Sequence, residues 1–135
     1  MTSNHKILFV DDDRDFLGAQ QAFFQGKGFV VVTHDRVGGA VEVAQTEKPD
    51  VIVLDLMMEH HDSGFQLARK LRLDPGFSNV PILMLSGVAS ATGHKFSGDA
   101  ASLKEWLKLD AFLDKPVTGR QLLKVIEEKL HVAKG

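Results

Sequence analysis

Residues 6–13 are Lys-Ile-Leu-Phe-Val-Asp-Asp-Asp, in which a continuous apolar run, Ile7–Val10, is followed at once by three carboxylates. Four more short apolar runs recur along the chain, and segments with helical spacing separate them. The first four runs are continuously apolar rather than alternating, which is typical of strands that helices cover on both faces. We therefore predict five strands, at Ile7–Val10, Phe29–Val32, Val51–Leu54, Ile82–Leu85 and Ala111–Leu113.

The segments between the predicted strands carry apolar residues at helical intervals, as in the series Leu122, Ile126 and Leu130. Helix ends are marked as well. Gly28 stands where a left-handed cap would close the first helix, Pro49 blocks continuation of the second, and Thr118 can cap the last. The strict alternation of strands and helices predicts a doubly wound α/β fold, with a five-stranded parallel sheet and helices on both faces.

Length and composition indicate an ordinary globular protein. The 135 residues suit one domain over 1–135, and the apolar share of 44% and charged share of 25% are near average. Net charge is −2 and the basic residues are scattered, so we expect no direct contact with nucleic acid.

Two further classes of protein are disfavoured by the sequence. Cysteine is absent, which excludes disulfides and thiolate metal sites. The apolar run Ile7–Val10 is too short for the core of a signal peptide, and no apolar stretch is long enough to span a bilayer. We expect a cytoplasmic protein without a membrane partner.

Polar residues follow four of the predicted strands: Asp11–Asp13 after the first, Asp55 after the third, Ser86 after the fourth and Lys115 after the fifth. Ligands of such folds bind beyond the carboxyl ends of the strands. Each residue alone has a plain explanation, since carboxylates cap helices and a lone lysine is usually solvated. Their convergence on one edge predicts a site.

The chemistry of these side chains favours phosphoryl transfer. Converging carboxylates raise one another's pKa unless a cation neutralises them, and oxygen ligands select a hard cation such as Mg²⁺. An ammonium and a hydroxyl can hold phosphoryl oxygens, while a carboxylate can act as the nucleophile and become an aspartyl phosphate.

Four motifs together resemble a known family. Lys6–Asp13, Asp55-Leu-Met-Met, Leu85-Ser-Gly and Phe112-Leu-Asp-Lys-Pro116 are similar, in order and spacing, to the receiver domains of response regulators in two-component signalling. The resemblance covers essentially the whole chain. It implies a flavodoxin-like, chemotaxis-regulator-like fold with strand order 2-1-3-4-5.

The resemblance also implies a role for each matching residue. Asp55 would be the phosphoacceptor, and Mg²⁺ would bind Asp11, Asp12, Asp55 and the backbone carbonyl of Met57. Lys115 would bind the phosphate, after a cis peptide bond to Pro116 that aims its side chain inward. Ser86 would sense the phosphoryl group, and Phe112 would be the aromatic switch residue.

The chain departs from the family pattern in two loops. Residues 59–64 form a link one residue longer than usual, and the segment between Ser86 and Lys115 is several residues longer. We expect a loop over 87–98 and a helix over about 99–109 that carries Leu103, Trp106 and Leu107. The pair His60 and His61 is more readily explained by a solvated loop than by a metal site.

The expected function is that of a response regulator, which takes a phosphoryl group from a histidine kinase and switches conformation to control a protein effector. Such a phosphoprotein is no enzyme beyond catalysing its own phosphorylation and dephosphorylation. The alternative is a phosphorelay intermediate that passes phosphate to a His-containing phosphotransfer protein. An aspartyl-nucleophile phosphatase is disfavoured, because Met57 replaces the second Asp common in such enzymes.

Overall fold

The computed structural model describes residues 5–55, 63–86 and 110–134. Its sheet has five parallel strands in the order β2-β1-β3-β4-β5, which confirms the predicted fold class and strand order. The strands are β1 (Lys6–Val10), β2 (Val30–His34), β3 (Val51–Asp55), β4 (Ile82–Ser86) and β5 (Ala111–Asp114).

Four α-helices and one 3₁₀ turn lie in the described parts of the chain: α1 (Arg14–Gly26), α2 (Ala40–Glu47), α3 (Ser63–Leu73), the turn Pro75–Phe77, and α4 (Gly119–Lys134). The loop and helix expected over 87–109 lie outside the described residues. Within the described residues, no helix is long and apolar enough to cross a membrane.

The core has two layers, because successive strand residues point to opposite faces of the sheet. On one face, β1, β3 and β4 pack Leu8, Ile52 and Met84 against α2 and α3. On the other face, the alternate strand residues, such as Phe9 and Val53, pack against α1 and α4. Both faces are covered, as the continuously apolar runs predicted.

Helix ends follow the chemistry of particular residues. Gly28, with φ of 92°, takes the left-handed conformation predicted after α1. Lys48 also has positive φ, 50°, and caps α2, which ends at Glu47, two residues before Pro49. Thr118 and Gln121 form a reciprocal cap on α4, in which each side-chain oxygen accepts the other residue's backbone N–H.

Candidate functional site

Three carboxylates converge at the carboxyl edge of the sheet. Asp11 and Asp12 directly follow β1, and Asp55 is the last residue of β3. One oxygen from each lies within 4.8 Å of the others. Asp11 and Asp55 are buried, whereas Asp12 is exposed. The group thus has two carboxylates inside the crevice and one at its rim.

Lys115 supplies the positive charge of this crevice. Its Nζ lies 2.8 Å from Asp11 Oδ2 and 3.8 Å from Asp55 Oδ1. The peptide bond between Lys115 and Pro116 is cis, as the resemblance implied. The side chain is 20% exposed, so this ammonium is largely enclosed beside the acids rather than solvated.

Ser86 and Lys115 are joined through the backbone. Ser86 is fully buried at the end of β4, and its carbonyl accepts the Lys115 N–H at 2.7 Å. Phe112, half-buried on β5, packs against the core layer that also contacts α2 and α3. Hydroxyl, ammonium and carboxylates therefore end neighbouring strands at one edge.

The residues of the Asp11–Asp13 run differ in role: one caps a helix and the others line the crevice. Asp13 caps α1, because its Oδ1 accepts the Phe16 N–H at 3.1 Å. The Asp13 N–H donates to Asp11 Oδ1 at 2.9 Å. Helix capping and a site were alternative explanations of this run: Asp13 caps the helix, whereas Asp11 faces Lys115.

Burial and neighbouring charges act together on Asp12 at the rim. Partial burial raises the pKa of Asp12, and the neighbouring Asp11 carboxylate adds to the increase, while Lys115 opposes it. The raised pKa shows that the negative charge of Asp12 is disfavoured there despite the lysine. A ligand set of carboxylate oxygens matches the preference of Mg²⁺.

Some predicted residues lie outside the described chain. These are Met57, the link over 59–62 and the pair His60 and His61. One neighbour of the site was missed from the sequence: the Phe16 ring, whose centroid lies 4.7 Å from Lys115 Nζ. Phe16 and Phe23 lie seven residues apart, a spacing typical of a helix face that packs on a sheet, and nothing in that spacing points to a distant lysine.

Comparisons with known proteins identify the family. The family model of the response regulator receiver domain matches residues 7–127. The chain belongs to this family. Receiver domains are signalling phosphoacceptors of two-component systems, and they generally bind Mg²⁺ at acidic residues.

Individual relatives agree with that assignment. The chain is 30% identical to PilH of Pseudomonas aeruginosa over 128 residues, covering 93% of this chain and 97% of that protein. It is 31% identical to RcaC of Microchaete diplosiphon over 127 residues, covering 94% of this chain but only 18% of RcaC.

A solved structure of the chemotaxis regulator CheY4 of Vibrio cholerae has a TM-score of 0.80 and 25% identity, with 94% of this chain and 99% of that chain covered. A receiver domain from Methanospirillum hungatei scores 0.81 with 26% identity, covering 98% of both chains.

Proposed function

We propose that Asp55 accepts a phosphoryl group from the phosphohistidine of a sensor kinase or phosphotransfer protein, in the presence of Mg²⁺, and that the resulting change of conformation controls a downstream protein. The observation that carries this proposal is the convergence of Asp11, Asp12 and Asp55 around the Lys115 ammonium.

The reaction follows from the chemistry of a buried carboxylate. An oxygen of Asp55 attacks the donor phosphorus, the P–N bond breaks, and its electron pair returns to the imidazole nitrogen. Lys115, 3.8 Å from Asp55 Oδ1, is close enough to contact an oxygen of the transferred group after a small movement. Asp55 is 6% exposed, so only a donor that fits the crevice would reach it.

Mg²⁺ would be held by the carboxylates of Asp11, Asp12 and Asp55, together with the Met57 carbonyl that the family pattern suggests. It would neutralise the negative charge that these acids share with the incoming phosphoryl group. Lys115 lowers the pKa of Asp12 without cancelling the rise that partial burial and Asp11 cause, and a bound cation would oppose that rise in the same way.

Ser86 and Phe112 are proposed as the switch. Ser86 ends the strand next to Asp55, in a ladder that pairs Asp55 with Leu85. Phe112 lies on the next strand, opposite Met84. The response-regulator relatives favour a regulator over the phosphorelay alternative. A single domain over 1–135, a cytoplasmic location and the absence of nucleic-acid contact stay predictions.

The test is phosphorylation by acetyl phosphate, followed by intact-mass and peptide mass spectrometry. We expect one phosphoryl group on Asp55 with Mg²⁺ and none in excess chelator. Asp55→Asn should abolish the modification, whereas Asp50→Asn, in the residue directly before the opposite end of the same strand, should retain it. Equal labelling of the Asp55→Asn protein would refute the assignment.

A further inference from the structure

The Lys115 ammonium has an aromatic neighbour as well as acidic ones. The Phe16 centroid lies 4.7 Å from Lys115 Nζ, within the range in which the negative face of a ring attracts a cation. The same Nζ lies 2.8 Å from Asp11 Oδ2. Ring and carboxylate thus act together on one flexible side chain.

Phe16 is itself held in place by the acidic run. Its backbone N–H donates to Asp13 Oδ1 at 3.1 Å, and the Asp13 N–H donates to Asp11 Oδ1 at 2.9 Å. Phe16 also packs against the core layer between the sheet and α1 and α4. The position of the ring is therefore set by α1, while the lysine comes from the loop after β5.

We propose that Phe16 is a positioning residue for Lys115, which keeps the ammonium beside Asp55 ready for the phosphoryl group. This inference rests on the proposed phosphorylation of Asp55. A lysine stem has four flexible carbons, so an ammonium without lateral support would spend less time near the acids.

An uncharged ring suits this role better than a further carboxylate would. The ring attracts the ammonium without accepting conventional hydrogen bonds, so the N–H groups of Lys115 stay available for oxygens. It also adds no net negative charge that would repel the incoming phosphoryl group. Asp11 and Phe16 therefore hold Lys115 in different ways.

The simpler explanation is that Phe16 only fills the core. The two roles differ in what they require: packing depends on the shape of the side chain, whereas attraction of the ammonium depends on the electron density of the ring. Fluorinated phenylalanines separate these properties, because successive fluorines weaken the negative face while changing the volume little.

The experiment places phenylalanine with one, two or three ring fluorines at position 16, and measures the initial rate of Mg²⁺-dependent modification by acetyl phosphate. We expect the rate to fall stepwise, by about threefold to tenfold over the series. Phe16→Tyr and Phe16→Trp should retain most of the rate, and Phe16→Leu should lower it at least as much as the most fluorinated ring. Mg²⁺ affinity and the unfolding midpoint should stay nearly constant across the fluorinated series.

The matched control is Phe23, which lies further along the same helix. Its ring centroid is 5.5 Å from Lys27 Nζ. The same fluorines at position 23 should leave the rate unchanged. A rate that is flat or rises across the position 16 series, in a protein that is otherwise phosphorylated normally, overturns the positioning role and leaves the proposed function intact. Absence of modification in the unsubstituted protein would instead overturn the proposed function.

Discussion

At the scale of single residues, the acidic crevice combines two buried carboxylates with an exposed one. Lys115 compensates Asp11 directly, at 2.8 Å, but leaves the pKa of Asp12 raised. A carboxyl group whose pKa is higher in the folded protein than in the unfolded chain destabilises the fold when it is ionised. Near neutral pH, the metal-free protein therefore carries an unfavourable charge at Asp12.

Removal of that charge should stabilise the protein only when metal is absent. We expect Asp12→Asn to raise the free energy of unfolding in chelator by up to about 1 kcal/mol, a modest value because the side chain is exposed. Added Mg²⁺ should stabilise the original protein and have little effect on the variant. Urea denaturation with and without Mg²⁺ measures both effects.

Asp15→Asn is the matched control, since it removes an equal charge from the first turn of α1. That carboxylate lies near the positive end of the helix, so its loss should not stabilise the protein. Asp15→Asn should also keep the full response to Mg²⁺. A metal-free Asp12→Asn protein that is less stable than the original would contradict the proposed repulsion.

The site residues differ in how far the sequence could predict them. Four site residues could be predicted, because each follows an apolar run and parallel strands bring those ends together: Asp11, Asp55, Ser86 and Lys115. The role of Phe16 could not be predicted, because an aromatic residue at helical spacing gives the same sequence pattern whether it packs on a sheet or on a lysine. Only the contact between two segments distant in sequence, α1 and the loop after β5, distinguishes the two cases.

At the scale of elements, three strands extend one residue beyond their predicted ends, and β2 extends two, to His34. The predictions stopped at the last apolar residue, yet Asp55, Ser86 and Asp114 continue the ladder, where Asp55 pairs with Leu85 and Ser86 with Asp114. Backbone pairing does not require an apolar side chain, so hydropathy marks a strand end too early. As a result, Asp55 and Ser86 lie on the rigid sheet rather than on loops.

The contact between α1 and α4 also depends on a feature that hydropathy does not reveal. Gly119 begins α4, and a Cβ placed there would lie 2.7 Å from Cδ2 and 2.8 Å from Cγ of Phe23. Those are ring atoms, which move only with the whole ring. Gly18 in α1, by contrast, has no such neighbour within 4 Å of an added Cβ.

Two glycine substitutions should therefore have opposite effects on stability. Gly18→Ala should raise the free energy of unfolding by about 0.5–1 kcal/mol, because alanine restricts the unfolded chain and favours a helix. Gly119→Ala should lower it by about 1–2 kcal/mol through overpacking against Phe23. Urea denaturation measures both.

A double-mutant cycle provides the control for the Gly119 effect. In a Phe23→Leu background, Gly119→Ala should cost clearly less, because the ring it would strike is gone. An equal cost in both backgrounds would show that the effect of the alanine does not come from the α1–α4 contact.

At the scale of the whole molecule, the segment 87–109 connects Ser86 to Asp110, and these two residues are held in place in different ways. Ser86, at one end, is buried on β4, beside the strand β3 that ends in Asp55. Asp110, at the other end, is held at the opposite edge of the sheet. The Asp110 Oδ2 accepts two hydrogen bonds, one from Arg72 Nη2 and one from the Ile82 N–H, each with a donor–acceptor distance of 2.8 Å.

Arg72 makes this second end a firm anchor. The side chain is 11% exposed, and its Nη1 also donates to the carbonyls of Phe77 and Val80, each at 2.7 Å. Burial lowers the pKa of Arg72, and the Asp110 carboxylate opposes that shift. An ion pair with this many hydrogen bonds is costly to break, since the Arg72 guanidinium would be left largely buried without its carboxylate partner.

The different fixing of the two ends predicts a graded response to phosphorylation. A phosphoryl group on Asp55 can attract the Ser86 hydroxyl, which displaces the chain that follows it, whereas Arg72 keeps Asp110 in place. Hydrogen exchange with a beryllofluoride phosphate mimic should therefore show its largest change just after Ser86, decreasing towards residue 109. The Asp110 amide, which donates to the Ile82 carbonyl at 2.9 Å, should keep its protection, as should α4.

The same mimic added to Asp55→Asn should change nothing. A change that is uniform up to Asp110, or absent despite confirmed occupancy at Asp55, would show that the signal does not start at Ser86.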